Sequence, residues 1–196
     1  MPRETDEELM ERFQRGDNAA MEELFARYQK PLYNFFLRMI NRKELAEDLV
    51  QETFIKVCRF GSSFRGSDAK FSTWLYSVAG NQCRDMLRYT SRRPETPITD
   101  IVDEDQADSF ADMLYSTDET PVEDHLMRSE VNSSIKAAID ALPEKERKAI
   151  ILREYNELEY KEIAEILGCP IGSVKVLIFR ARQRLREQLK NVDMSI

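Results

Sequence analysis

Basic side chains near the end of the chain are the clearest candidates for chemistry. Residues 168–190 contain one acidic residue, Glu187, and six basic ones: Lys175, Arg180, Arg182, Arg184, Arg186 and Lys190. Positive charge at this density favours contact with the phosphates of a nucleic acid. The chain has no Ser/His/Asp set, paired carboxylates or phosphate-binding loop, and we therefore predict a binding protein that is not an enzyme.

Metal and redox chemistry have little support in the sequence. The chain has a single histidine, His125, and three cysteines, Cys58, Cys83 and Cys169. The cysteines lie far apart and form no CxxC pair, and their odd number does not suit a disulfide framework. We predict no metal site, no cofactor, and three reduced thiols that are buried among helices.

The basic residues fall on a predicted helix over residues 172–189. At 100° per residue, its apolar side chains share one face, which predicts a buried seam. The seam consists of Val174, Ile178, Ala181 and Leu185. A second helical segment, residues 161–167, precedes it across the turn Gly168-Cys169-Pro170, as is typical of a helix-turn-helix unit. The second helix of such a unit enters the major groove of DNA. The candidate groove-reading residues are Ser173, Lys175, Val176, Phe179 and Arg180, and Arg182 and Arg184 are assigned to the DNA backbone.

Helical spacing of apolar residues also predicts the elements upstream, so the fold class is all-α. These helices span residues 6–15, 19–39, 43–59, 72–89, 131–142 and 144–155. Pro31 is expected to kink or divide the second of them. The Ser72 hydroxyl is expected to cap the fourth, whose interior Gly80 costs ~1 kcal/mol relative to alanine and so calls for support from tertiary packing.

Charge divides the chain into three parts. Residues 1–89 carry 14 Lys/Arg and 14 Asp/Glu, residues 90–129 carry 3 and 11, and residues 130–196 carry 12 and 11. The middle part has three prolines and little periodicity, which predicts a flexible acidic linker between two small helical domains, 1–89 and 130–196. No run approaches the ~18 apolar residues of a membrane span, and the polar start is unlike a signal peptide, so we expect a cytoplasmic protein.

Sequence motifs in both domains resemble extracytoplasmic-function sigma factors. The stretch YKEIAEILGCPIGSVKVLIFRARQRLRE, preceded by ALPEKERKAIILREY, is similar to sigma region 4. DLVQETFIKV, followed by FRGSDAKFSTWLYSVAGNQCRDMLR, is similar to sigma region 2. The resemblance covers about residues 9–88 and 130–188, and it implies a subunit that binds core RNA polymerase and directs promoter-specific initiation as an alternative, signal-responsive factor.

The resemblance also implies partners and their contact residues. Region 2 docks on the β′ coiled coil of the polymerase through Asp48, Leu49, Gln51, Glu52, Phe54, Ile55 and Lys56. Region 4 contacts the β flap and binds the minus-thirty-five element of promoter DNA through the helix-turn-helix. An anti-sigma factor is a further partner that the family implies. The acidic linker either serves as a soluble tether or passes through the polymerase near its active centre.

Recognition and opening of the minus-ten element is the other function that the resemblance implies for region 2. An opened strand needs a pocket for an unstacked base and aromatic surfaces that replace stacking worth ~1–3 kcal/mol per base. The implied residues are Phe64, Arg65, Gly66, Ser67, Asp68, Phe71, Trp74, Tyr76, Asn81, Arg84 and Arg88. We expect the base-specific contacts in the loop 64–68. Some of the aromatic residues belong to the core, and Trp74 also begins the apolar seam of its helix.

Departures from the family pattern affect specificity. Family members often carry Arg at the positions of Ser77, Gly80 and Leu177, and a small polar residue at that of Val176. Two other classes remain open at this point: a dimeric repressor that uses the helix-turn-helix alone, and a protein-interaction module built from helical bundles. A repressor needs neither the aromatic loop nor the DLVQETF segment, and an interaction module leaves the basic face unexplained.

Overall fold

The structure, a computed structural model, describes residues 4–67, 69–92 and 133–190. All regular secondary structure in these ranges is helical, as the all-α prediction requires. The helices are α1 (Asp6–Gln14), α2 (Asn18–Ile40), α3 (Lys43–Phe60), α4 (Phe71–Arg92), α5 (133–140), α6 (Glu144–Glu154), α7 (Tyr160–Leu167) and α8 (Ile171–Leu189), with a 3-10 turn at Gly61–Ser63. The predicted linker, residues 90–129, lies almost entirely outside the described residues.

Helices α1–α4 form what is called here the first unit, in which α1, α3 and α4 pack against the apolar face of α2. The fully buried side chains of α2 include Leu24, Leu32, Phe35, Phe36 and Met39. Pro31 lies inside α2, which is one helix from Asn18 to Ile40, so the expectation that this proline divides the segment is wrong. Asn41 ends α2 in a left-handed conformation with φ 56°, and after a two-residue connection α3 packs against α2.

One of the two apolar rows of α3 faces the core of the first unit. Its members, Ala46, Val50, Phe54 and Val57, are at most 6% exposed. Two side chains on the neighbouring row, Leu49 and Thr53, are buried as well, and the Thr53 hydroxyl lies 2.5 Å from Oε1 of Gln82 on α4. Because side chains of both rows are buried, α3 exposes a narrower face than a helix in which only one row is buried.

The start of α4 is fixed by a residue that is distant in the sequence. Helix α4 begins at Phe71, whose backbone N–H donates to Glu7 Oε1 at 2.8 Å. A carboxylate at this place satisfies an orphan donor and interacts favourably with the positive end of the helix. Ser72 lies within the first turn, so the prediction that its hydroxyl caps the helix is wrong.

Helices α5–α8, called here the second unit, contain the helix-turn-helix. Gly168 ends α7 with φ 61°, and its N–H bonds to the carbonyls of Ala164 and Glu165. This left-handed conformation is easily reached only without a Cβ atom, which explains why glycine occupies the turn. Pro170 precedes α8, where its missing N–H leaves no helical hydrogen bond unmade.

The two units pack against each other. Helix α4 contacts α7, and α2 contacts α6. Asn156 Nδ2 donates to the Tyr76 hydroxyl at 2.6 Å, and Arg147 donates to the Met39 carbonyl at 3.1 Å. Lys70 Nζ lies 3.0 Å from Glu162 Oε1. The two units therefore contact each other through a polar interface.

The cysteines differ from one another in exposure. Cys83 is buried in α4, and burial raises the pKa of its thiol to about 12, so this thiol stays protonated. Cys169 is partly exposed and Cys58 is exposed on α3, so the prediction that all three thiols are buried is wrong. Within the described ranges, no group of three His, Cys, Asp or Glu side chains could hold a metal ion.

Candidate nucleic-acid and protein-binding surfaces

The second helix of the helix-turn-helix has one buried and one free face. Val174, Ile178 and Ala181 are at most 1% exposed, and Leu185 is partly buried against the same core. The predicted seam is therefore confirmed. Helix α8 packs on α6 and α7 through this seam, which fixes its orientation in the second unit.

All seven candidate DNA-contacting residues of α8 are exposed. Val176 is 47% exposed and Phe179 is 67% exposed, although both are apolar. Apolar side chains at a helix surface are suited to contact thymine methyl groups, while arginine and lysine pair with guanine edges or phosphates. Within this set, Ser173, Val176 and Arg180 follow one another at spacings of three and four, so they lie on one strip of the helix.

Two arginines of α8 are held by carboxylates of α6. Arg182 Nη2 lies 2.5 Å from Glu154 Oε1, in an exposed pair. Arg184 Nε lies 3.1 Å from Oε2 of Glu146, whose side chain is only 7% exposed. Removal of Arg184 would leave a buried carboxylate without a partner cation, which is costly. The geometry therefore gives Arg184 first of all a structural role.

The loop between α3 and α4 keeps its aromatic side chains inside. Phe64 is 6% exposed, and its ring centroid lies 5.9 Å from that of Phe71 and 5.3 Å from that of Trp74. Gln14 Nε2 donates to the carbonyls of Gly61 and Phe64 at 2.8 and 2.9 Å, which ties the loop to α1. Arg65, Gly66 and Ser67 are exposed at the surface of the loop, and Asp68 lies outside the described residues.

Only part of the predicted minus-ten set is accessible. Phe71 is fully buried and Tyr76 is 2% exposed, so in this structure they belong to the core together with Phe64. Trp74 is partly exposed. On α4, Asn81, Arg84 and Arg88 follow at spacings of three and four, with Asn81 and Arg88 exposed and Arg84 partly buried. The structure brings the loop and Trp74 together, and places the three polar residues farther along α4.

The free face of α3 combines charged and apolar side chains. Asp48, Gln51 and Glu52 are exposed, and Glu52 pairs with Lys56 at 2.9 Å. Ile55 is 65% exposed in their midst. Leu49 and Phe54, predicted as docking residues, are 3% and 6% exposed because they pack into the first unit, so here they support the surface rather than form it.

Family comparisons identify the class of protein to which the chain belongs. The Sigma-70 region 2 family matches residues 24–93, and the Sigma-70 region 4 family matches residues 133–185. The RNA polymerase sigma-H factor of Pseudomonas aeruginosa is 37% identical over 190 residues, which cover 97% of this chain and 96% of the relative. The ECF RNA polymerase sigma-E factor of Haemophilus influenzae is 39% identical over 186 residues, with 95% and 96% covered. The chain belongs to the extracytoplasmic-function (ECF) group of RNA polymerase sigma factors.

This alternative sigma factor is also similar to a solved relative. The sigma factor RpoE of Bartonella quintana, solved in complex with the anti-sigma factor NepR, matches with a TM-score of 0.64 and 26% identity, covering 86% of this chain and 96% of that one. The predicted family and fold class are therefore confirmed. The sigma factor binds core RNA polymerase and directs initiation at promoters. None of its described helices is long and apolar enough to cross a membrane.

Sequence reasoning missed two apolar residues near the free face of α3 of this sigma factor. Phe60, at the end of α3, is 52% exposed, and Phe25 of α2 is 38% exposed while its ring packs 4.8 Å from that of Phe54. Phe60 follows Glu52 and Lys56 at spacings of four, so it extends the free face of α3. The one sequence signal was that Phe60 lies outside the buried row of α3. The predicted helix ended at residue 59, so Phe60 was not considered as part of it.

Proposed function

We propose that the sigma factor divides promoter recognition between its units. Helix α8 reads the minus-thirty-five element, the loop 64–68 with α4 handles the minus-ten element, and the free face of α3 docks on the β′ coiled coil. The observation that carries this division is α8 itself. Its buried seam, tight preceding turn and exposed strip of Ser173, Val176 and Arg180 meet the geometric needs of a groove-reading helix.

The sigma factor contributes specificity and the polymerase contributes catalysis. We infer that the protein is not an enzyme, that it acts in the cytoplasm where the polymerase works, and that residues 90–129 link its two domains, 1–89 and 130–196. Because the B. quintana relative is bound to an anti-sigma factor, we infer that a protein of that class also restrains this chain until a signal releases it.

Reconstituted run-off transcription tests the proposal. The protein is added to core polymerase that lacks its own specificity subunit, with genomic DNA as template, and start sites are sequenced. We expect discrete start sites that share two upstream elements. Random starts, or no transcription above that of the core enzyme alone, would remove the assignment of recognition to this chain.

A docking variant separates polymerase binding from DNA binding. Ile55→Glu places a charge at the centre of the free face of α3 and should abolish co-purification with core polymerase, whereas Ile55→Val should retain it. Both changes leave α8 untouched. Equal retention of polymerase by the two variants would show that α3 docks elsewhere or not at all.

A further inference from the structure

A crevice of about 490 Å³ lies where α4, α6 and α8 meet. Volumes of this size accommodate small organic molecules in proteins. Among the described residues that line it, four are basic, from three different helices, and one is acidic, Glu144. The basic residues are Arg84 of α4, Lys145 and Lys148 of α6, and Arg180 of α8. The crevice is therefore positively charged in a chain whose net charge is −7.

The start of α8 adds to this positive charge. Gly172 and Ser173, in the first turn of α8, line the crevice, and no side chain caps that helix end. Backbone N–H groups in the first turn of a helix attract anions, phosphates among them. Nothing lies within 4 Å of the place where a Cβ atom of Gly172 would be, so an anion can approach the backbone there. The helix end and the basic side chains face the same space.

Lys148 is buried in the wall of the crevice without a partner. It is only 4% exposed, and among the described residues it forms no hydrogen bond or ion pair. Its ammonium group lies against α4, where a Cβ atom built on Gly80 would be 2.0 Å from Nζ. Burial lowers the pKa of Lys148. Cys83 and Glu144 favour the charged form, and Arg84 opposes it. A buried ammonium group without a partner is costly, and an anion in the crevice would supply that partner.

The positive groups of the crevice are spread too widely for a single small anion. Ser173 and Arg180 are seven residues apart on α8, which is ~10 Å along the helix axis. One phosphate group contacts only part of that length, whereas two linked phosphates extend along it. Leu167 and Leu177 line the same crevice and offer apolar surface beside the charges. This combination suits an organic molecule that carries a diphosphate group.

The burial of Lys148 favours a small ligand over a nucleic acid duplex. A residue that is 4% exposed has almost no surface to offer a duplex lying along α8, whereas a molecule inside the crevice lies beside it. Ser173 and Arg180 are exposed, so they are accessible from outside as well as from within the crevice. Lys148 is therefore the residue that distinguishes the two kinds of ligand.

We propose that the crevice between α4, α6 and α8 binds a small phosphorylated molecule through its diphosphate group. Lys148 of the second unit and Arg84 of the first pair with the phosphates, together with Arg180 and the first turn of α8. Leu167 and Leu177 contact the organic part of the ligand. Because both units contribute side chains, the site is complete only in the full chain. It does not depend on the promoter role proposed for α8.

Calorimetric titration of the full chain with inorganic pyrophosphate and with ADP tests the site, in phosphate-free buffer at constant ionic strength. Both probes should bind with one ligand per chain, and sulfate should bind far more weakly. Tighter binding of ADP than of pyrophosphate supports the contact with the apolar side chains, and equal affinities would overturn that contact. If neither probe binds, or if sulfate binds as tightly as pyrophosphate, the whole proposal fails.

Matched variants locate the site. Lys148→Met keeps an unbranched side chain, removes the charge and should weaken pyrophosphate binding about tenfold. Lys190→Met removes the same charge at the exposed end of α8, outside the crevice, and should bind like the natural protein. Glu144→Gln should tighten binding, because it removes a carboxylate from the crevice. Equal affinities of Lys148→Met and Lys190→Met would overturn the assignment. Should Lys148→Met fail to fold, Arg84→Gln decides, with Arg186→Gln on the exposed surface of α8 as its control.

Duplex binding separates this site from DNA recognition. Fluorescence anisotropy with a short duplex should give the same affinity for Lys148→Met as for the natural protein, because Lys148 is buried. A parallel loss of duplex and pyrophosphate binding would show that Lys148 serves the phosphates of DNA, and would overturn the assignment of a small ligand. The run-off assay judges the promoter role of α8 independently, so the failure of one proposal does not decide the other.

Discussion

The two units of the sigma factor carry candidate nucleic-acid surfaces of two kinds. On α8 the candidate side chains project from a rigid helix whose opposite face is buried, so the surface exists before DNA arrives. In the first unit, Phe64, Phe71 and Tyr76 are inside the core, and the loop exposes only small or polar residues among those described. Duplex DNA needs a preformed helix, whereas an unstacked base needs a pocket that can be made when the strand opens.

The contrast has an energetic basis. The seam of α8 joins it to α6 and α7 over its length, and moving α8 would expose the whole seam. The loop 61–67 is tied to α1 by two hydrogen bonds from Gln14 and by the packing of Phe64. Releasing the loop breaks two hydrogen bonds, at a net ~1 kcal/mol each, and exposes the ring of Phe64, whereas releasing α8 exposes the three fully buried side chains of its seam as well as Leu185. Change on DNA binding should therefore concentrate in the first unit.

The largest expected effect separates a buried phenylalanine from an exposed one. Phe71→Ala removes a fully buried ring that packs against Phe64 and Tyr28, and should lower the free energy of unfolding by ~3–5 kcal/mol. Phe179→Ala, at a position that is 67% exposed, should change it by less than ~0.5 kcal/mol. Urea unfolding of each variant measures both values. Similar losses in the two variants would contradict the burial difference between the units.

A second prediction compares two arginines of the same helix. Arg180→Ala should weaken binding to a minus-thirty-five duplex by ~1–3 kcal/mol, because this side chain is on the exposed strip of α8. Arg182→Ala should cost less than ~1 kcal/mol, because that guanidinium already pairs with Glu154 at the surface. Fluorescence anisotropy at two salt concentrations measures the difference. A larger loss for Arg182 would place the reading face on the other side of α8.

A third prediction concerns the hydrogen bonds that hold the loop 61–67 against α1. Gln14→Ala removes both hydrogen bonds to the loop carbonyls and should destabilise the local closed conformation by ~1–2 kcal/mol. Amide exchange of residues 61–67 should accelerate accordingly, while exchange in α8 stays unchanged. Gln188→Ala, at an exposed position of α8, serves as the control. Equal exchange in the two variants would mean that Phe64 packing alone holds the loop.

Periodicity predicted the second unit well. The apolar spacing of α8 defined its buried seam and free strip, because a helix with one partner layer has one buried side. The glycine of the turn and the proline before α8 located the boundary within one residue. The two ion pairs from Arg182 and Arg184 to α6 were beyond such reasoning, because they depend on how distant segments pack.

Long-range packing explains what the sequence did not predict in the first unit. The aromatic residues between positions 64 and 76 are of types that suit base stacking, but the same types also fill protein cores. Phe71 lies in the core, where Tyr28 of α2 packs against its ring, and this contact cannot be read from the sequence. Glu7 takes the capping role expected of Ser72 because α1 packs near the start of α4. No local pattern announced that Lys148, from the other unit, would fill the space beside Gly80.

The smallest expected effect is a dependence of domain closure on pH. The closed state lowers the pKa of Lys148, so its contribution to closure is complete above the pKa of an exposed lysine, ~10.4, and is lost as pH falls through the lowered value. Arg84 on α4 opposes the charged form, whereas Cys83 on α4 and Glu144 on α6 favour it. Lys145 and Arg180, on α6 and α8, add positive charge to the same crevice. The Cys83 thiol, with its pKa raised to about 12, stays neutral over most of this range.

Raising the pH from neutral toward that of an exposed lysine should therefore slow amide exchange across α4 and α7 relative to the intrinsic exchange rate, and decrease the radius of gyration slightly. The Lys70–Glu162 ion pair should persist, because that pair raises the pKa of Lys70. In Lys148→Met the dependence should vanish while the units stay closed. A Lys148→Met variant with the same pH response would assign that response to another titratable group at the interface between the units.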